Sequence, residues 1–199
     1  MAFLSRLVQQ RVALTGILAT RKEKRLEDSG APRLFLPDIL VPALDLVFVG
    51  INPSVYSAQY GHYFARPSNR FWALLNASGL LPIPVGPDDD RRLPEFGVGL
   101  TDLVPWATPS AAEVRPEEFA AGRIALHAKL LDAAPRAVCF IGKLAYAEYR
   151  GVRKVAFGRQ QELIGQSVVF VMPSTSGRAN SLHRERVRCL AAVRAYLGQ

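Results

Sequence analysis

Three short runs in this chain are apolar at every position: Leu46-Val47-Phe48-Val49, Ala137-Val138-Cys139-Phe140-Ile141 and Val168-Val169-Phe170-Val171. A strand with one wet face alternates apolar and polar residues, so a run without alternation belongs to a strand covered on both faces. Helical stretches separate the runs. Pro116 to Ala133 opens with a proline, which loses no hydrogen bond in a first helical turn, and Glu117 and Glu118 suit the positive end of the helix dipole. Lys143 to Tyr149 reads as a short helix. Ser181 to Leu197 reads as a last one, with a solvated basic face through Arg184, Arg186, Arg188 and Arg194. Strands alternating with helices predict an α/β chain of three layers, α/β/α, around a central, mostly parallel sheet.

Sheets of this kind place their ligands at the carboxyl ends of the strands. The first run ends there in Gly50, followed by Ile51-Asn52-Pro53-Ser54. Pro53 fixes its own φ and keeps Asn52 out of the α region, so a polar amide is held where a ligand would lie. A loop rich in aromatic residues follows (Tyr56, Tyr60, Tyr63, Phe64), then a helix over Asn69 to Ser78 with Ser68 as its N-cap and Gly79 as its stop. Gly97 to Val104 carries two glycines among aliphatic residues, the pattern of a backbone passing close to something, with the single carboxylate Asp102 embedded in it. The third run delivers Pro173-Ser174-Thr175-Ser176-Gly177-Arg178.

The chain has 199 residues, 49% hydrophobic and 21% charged, enough for one domain with a real core. A net charge of +8 and a pI near 9.9 point to a polyanionic partner, most economically nucleic acid. No apolar run approaches the roughly 20 residues needed to span a bilayer, so no membrane role is expected. Residues 1–25 read as an amphipathic helix with a basic face, joined by a Pro- and Gly-containing linker; the expected division is an arm at 1–35 and a domain at 36–199. Two cysteines, Cys139 and Cys189, form neither a disulfide framework nor a metal site, and an iron–sulfur cluster needs four thiolates. The acidic triplet Asp88-Asp89-Asp90 lacks the spacing of an oxygen-ligand loop and reads as a solvated turn within a loop from Leu81 to Arg92. No metal and no other cofactor is expected.

Gly50-Ile51-Asn52-Pro53, the loop through Gly61-His62, and Asn69-Arg70-Phe71-Trp72 resemble the first signature of the mismatch-specific uracil-DNA and thymine-DNA glycosylases. Met172 to Arg178 resembles the second. The similarity runs from about Leu36 to the C-terminus and implies the uracil-DNA glycosylase fold. It also implies a monofunctional enzyme acting on double-stranded DNA with mispaired uracil, as a monomer without an obligate protein partner, in a bacterial cytoplasm or a eukaryotic nucleus or organelle. Such enzymes extrude the target base into a pocket before hydrolysis. A non-catalytic DNA-binding module on the same fold is the rival reading; it would keep Arg178 and the basic surface but not need Asn52.

By resemblance Asn52 orients the attacking water; an Asn chosen only for turn geometry is the alternative. Gly50, Ile51 and Pro53 form the pocket floor, where Ser54 departs from the family's glycine. Phe64 is implied as the ring that stacks on the flipped base, with Tyr63 as its substitute after a shift of one residue. Backbone N–H groups around Ile51 and Phe64 would meet the pyrimidine oxygens. Ser57 reaches the base edge or caps a helix, and His62 is either structural or a phosphate contact. Ser174, Thr175 and Ser176 are implied as phosphate contacts, Gly177 and Arg178 as the wedge that fills the gap, and Lys143 as an electrostatic aid. Asp102 departs from the family, whose matching residue is polar but generally not acidic. It is either a general base or a structural group, a helix cap or an arginine's partner.

Overall fold

The three apolar runs form the middle of a five-stranded sheet. The computed structural model describes residues 33–176 and 181–198. The helix expected at residues 1–25 and the wedge residues Gly177 and Arg178 lie outside the described residues. In chain order the elements are β1 (Leu46–Gly50), α1 (Val55–Tyr60), α2 (Phe71–Ala77), a 3-10 segment (Pro87–Phe96), β2 (Val98–Asp102), a 3-10 turn (Ala111–Glu113), α3 (Pro116–Ala133), β3 (Ala137–Ile141), α4 (Lys143–Arg150), β4 (Gly158–Ile164), β5 (Ser167–Met172) and α5 (His183–Leu197). The sheet order is β2-β1-β3-β5-β4, parallel throughout except for β4 against β5.

Alternation along each strand divides the core in two. Leu46, Phe48, Leu100, Cys139 and Phe170 face α2 and α5, where Phe71, Trp72, Leu75, Leu190 and Val193 meet them. Val47, Val49, Val138, Phe140 and Val171 face α3 and α4, against Phe119, Leu126, Leu130, Tyr146 and Tyr149. Each such side chain taken from water contributes about 1.5–3 kcal/mol, so both helical layers are bound to the sheet by burial rather than by polar contacts. The expected three-layer α/β/α class is thus what forms.

Several local expectations need correction: the first part of the aromatic loop, Val55–Tyr60, is the helix α1, and within Gly97 to Val104 the residues Val98–Asp102 form an edge strand, β2. β4 was not anticipated: its sequence, Gly158 to Ile164, is polar and only Ile164 is buried, because it is an edge strand with a bulge between Arg159 and Leu163. The helix after the aromatic loop starts at Phe71, and Asn69 rather than Ser68 serves its end, Asn69 Oδ1 accepting from Phe71 N at 3.0 Å. The acidic triplet is no solvated loop. It opens the 3-10 segment, with Asp89 Oδ2 accepting from Gly86 N and Asp90 only 1% exposed. The C-terminal helix is not solvated at every arginine either, since Arg186 is fully buried.

One close approach sets the position of the strand that matters most. Gly122 of α3 sits against the chain leaving β2, where a Cβ would lie 2.2 Å from the Leu103 carbonyl oxygen. The missing side chain lets the helix press directly on the backbone following Asp102.

Candidate active site

At the carboxyl end of the sheet, Gly50 of β1 and Asp102 of β2 are register partners. The Asp102 carboxylate folds over the bare Cα of Gly50: a Cβ at residue 50 would lie 2.1 Å from Asp102 Oδ1. The same point is 4.0 Å from Cζ of Phe64, so a carboxylate and an aromatic edge meet over one glycine. Asp102 is 5% exposed, and burial pushes its carboxyl up to about 8; the charge of Asp38 pushes the same way and Lys129 opposes both. Asp38 itself is held by Lys129 Nζ at 2.5 Å and by Thr101 Oγ1, which donates to it at 2.6 Å. Desolvation thus outweighs the nearby positive charge. Asp102 closes a strand, and the next helical turn begins only at Ala111, so it caps no helix.

Phe64 holds an unusual backbone conformation, φ +53°, while its half-buried ring stacks on Phe71 at 4.1 Å between centroids and 29° between planes. A non-glycine residue there costs on the order of 1–3 kcal/mol unless its surroundings impose it. They do so from both sides. Tyr63 N donates to Asp90 Oδ2 at 2.8 Å, Tyr63 O accepts from Trp72 Nε1 at 3.1 Å, and Ala65 N donates to Ser57 Oγ at 3.2 Å. Tyr63 itself is buried in the core, its hydroxyl pushed to a higher pKa chiefly by burial, so Phe64 rather than Tyr63 presents its ring.

Two nearby sequence candidates take part in this bracing. Ser57 is 4% exposed and its hydroxyl is engaged by Ser54 Oγ and Ala65 N, which commits it within the protein rather than toward a ligand. Ser54 is the N-cap of α1, accepting from Ser57 N at 3.1 Å; the hydroxyl that departs from the family's glycine is turned into the helix end. His62 Nδ1 donates to Asp90 Oδ1 at 3.0 Å. Asp90 therefore orients the His62 ring and anchors Tyr63 with its two oxygens, a role hidden in the sequence by its place in an acidic run.

Asn52 lies two residues beyond Gly50. Its Nδ2 donates to Trp106 O at 3.2 Å and to Thr108 Oγ1 at 2.8 Å, and Thr108 Oγ1 donates onward to Ser110 O at 2.7 Å. With its amide hydrogens directed at these acceptors, the orientation of the Oδ1 carbonyl is set. An oriented carbonyl oxygen can accept a hydrogen bond from water but cannot take its proton.

The second stretch reaches the first through the backbone: Arg70 N donates to Thr175 O at 2.9 Å. Thr175 is 1% exposed, so its hydroxyl does not offer the surface contact expected of it, whereas Ser174 is half-buried and Ser176 exposed. Arg186 explains its burial here. Its Nε donates to Ser174 O at 2.9 Å and its Nη2 to the same oxygen, while burial first and Arg70 second lower its pKa. Gly142, at the end of β3, packs against Ser174, and the next residue, Lys143, places its ammonium 4.3 Å from the centre of the Phe157 ring. Gly50, Phe64 and Asp102 thus converge, with Asn52 beside them. Asp38, Asp90, Lys129 and Arg186 support the site without having been singled out in the sequence.

Residues 37–198 match the sequence model of the Uracil DNA glycosylase superfamily. Among solved structures, the chain is similar to the solution NMR structure of a candidate uracil DNA glycosylase from Methanosarcina acetivorans. The two share 21% identity and a TM-score of 0.58, over 84% of this chain and 99% of that one.

Proposed function

The chain belongs to the uracil DNA glycosylase superfamily, and from that premise we propose that it is a monofunctional glycosylase of the mismatch-specific uracil- and thymine-DNA branch. In this reading it extrudes mispaired uracil from duplex DNA and hydrolyses the N-glycosidic bond, the first step of base excision repair. Extrusion costs a few kcal/mol, least at a mispair, which favours uracil opposite guanine. The base stacks on Phe64, an interaction worth roughly 1–3 kcal/mol. Gly50, Ile51 and Pro53 form the floor, and Arg178 fills the vacated space in the duplex.

Water held by Asn52 Oδ1 attacks C1′ as the bond from C1′ to the base nitrogen breaks. The bonding pair leaves with uracil, and ionised Asp102 takes the water proton. Asp102 then gives up that proton, by way of solvent, to the uracil anion, so the products are free uracil and an abasic site and the carboxylate is restored. No metal ligand enters this scheme; backbone N–H groups near Ile51 and Phe64 stabilise the departing anion, each donor worth about 10²–10³ in rate.

The observation that carries the reading is the meeting of the Asp102 carboxylate with the Phe64 ring over Gly50, since a binding module has no use for a carboxyl buried at its ligand face. The test is incubation with a duplex carrying U opposite G, followed by alkaline cleavage at abasic sites. Strand scission by wild type, lost in the Asn52→Ala/Asp102→Asn double variant, is the expected result. Tight binding without scission would favour the non-catalytic module.

A further inference from the structure

Beyond the two signatures, one surface carries positive charge that the proposed chemistry does not use. A groove of about 470 Å³ is lined by Lys143, Leu144, Ala147, Arg153, Lys154 and Val155, three cations with no carboxylate among them. Arg150, on the same helix, is engaged by Glu162 at 3.0 Å. Arg153 and Lys154, by contrast, are exposed and form no ion pair among the described residues. Lys143 is steadied over Phe157, so one charge of the three has a defined position.

Topology places this groove at the same end of the sheet as Asp102. α4 starts where β3 ends, and its preceding Gly142 touches Ser174: a Cβ added there would lie 3.6 Å from Ser174 Cβ. The chain leaves α4 at Gly151 and returns to begin β4 at Gly158, opposite Val171 near the carboxyl end of β5. Residues 152–157 therefore run back toward the edge from which the second signature emerges. A duplex whose extruded nucleotide enters at Asp102 would continue past Ser174 toward these cations.

We propose that Lys143, Arg153 and Lys154 form a phosphate-binding tract that holds the DNA backbone flanking the extruded nucleotide on the second-signature side. The proposal rests on the glycosylase reading. Exposed cations with no carboxylate in the groove beside them read no base edge; they attract the sugar–phosphate chain whatever its sequence, and each neutralised phosphate steepens the salt dependence of binding.

The experiment measures binding of the full-length protein to a U:G duplex and to its fully paired counterpart across a salt series. Arg153→Gln/Lys154→Gln should reduce the slope of log K against log[salt] by about 2, close to 0.9 for each lost contact, and equally on both duplexes. Adding Lys143→Gln should remove about one more. Arg194→Gln, in the last turn of α5, is the control for net charge and should leave the slope unchanged. Duplexes trimmed on one side of the lesion should erase the difference between wild type and double variant, and those trimmed on the other side should keep it. An unchanged slope, or a change matched by Arg194→Gln, overturns the tract while leaving uracil release intact. Binding that loses slope as expected, in a protein that releases no uracil, upholds the tract and overturns the glycosylase reading. A wild type that binds neither duplex overturns both.

Discussion

If Asp102 takes the proton of the attacking water, the reaction must switch on with its ionisation. A carboxyl raised to about 8 is ionised in only about a tenth of molecules at pH 7 and in about nine tenths at pH 9. The single-turnover rate on a U:G duplex should therefore climb with unit slope below pH 8 and level off above it, a gain of roughly tenfold between pH 7 and 9. A positioned base is worth about 10²–10⁴, so Asp102→Asn should cost about 10²-fold or more at pH 9 and about tenfold less than that at pH 7, on a profile that is itself flat. Neighbouring charges move the midpoint. Removing Lys129, which lowers the Asp102 pKa, should shift the profile to higher pH, and neutralising Asp38, which raises it, should shift the profile lower. Stability carries the same signature. The folded pKa lies above the ordinary carboxylate value of 3.8, so the contribution of Asp102 to stability is fully present below that value and is lost as pH rises to about 8. Asp102→Asn should thus gain unfolding free energy over wild type across that interval, by at most about 1.4 kcal/mol per pH unit, and then hold a constant advantage, read as a rising difference in melting temperature. A flat wild-type rate profile from pH 6 to 9, with Asp102→Asn near full activity and Asn52→Ala inactive, would refute the reasoning and leave Asn52 as the sole water-positioning group.

Gly50→Ala puts a methyl group 2.1 Å from Asp102 Oδ1 and should swing the carboxylate away; its rate loss should not add to that of Asp102→Asn, and additive losses in the double variant would contradict a shared cause. Asp90→Ala strands the buried Tyr63 N–H, which should cost about 1–3 kcal/mol in urea unfolding and weaken binding of uracil duplex through a loosened Phe64. Asp90→Asn, which keeps one acceptor oxygen, should recover part of both, and an unfolding midpoint equal to wild type for the alanine variant would show that the contact contributes nothing. Arg178→Ala should impair uracil release from duplex far more than from single strands, where no gap needs filling; equal losses on the two substrates would make Arg178 a general phosphate contact.

What could be read from the sequence follows from which interactions are local. β1, β3 and β5 are buried on both faces, so apart from Ser167 at the start of β5 their residues are apolar and announce themselves. β4 pairs on one side only and buries one residue of its length, which leaves a polar segment indistinguishable from a loop until β5 is beside it. The site divides in the same manner. Gly50, Asn52 and Phe64 sit in one continuous stretch whose turn chemistry and aromatic residues are visible, and Asp102 stood out as a lone carboxylate in an aliphatic segment. Asp90 was hidden because three adjacent aspartates look alike. Only the fold turns the third inward, to Tyr63 N and His62, while Asp89 caps its own segment.

Arg186 was hidden for the opposite reason, as one of several arginines on a basic helix, and its burial bears on how the two signatures act together. Its guanidinium grips the Ser174 carbonyl while the neighbouring Thr175 carbonyl accepts the backbone N–H of Arg70, the residue that opens α2. The stretch that carries Ser174 to Ser176 is thereby fixed at two successive carbonyls, one to α5 and one to the helix that supplies Phe71 under the Phe64 ring. A shift of this stretch along a DNA backbone would therefore pull on α2, and through Phe71 on the stacking platform itself. Under the proposed function, preorganisation of the base pocket and placement of the second signature share one set of contacts. That sharing accounts for a cation being buried where a solvated one would have served binding alone.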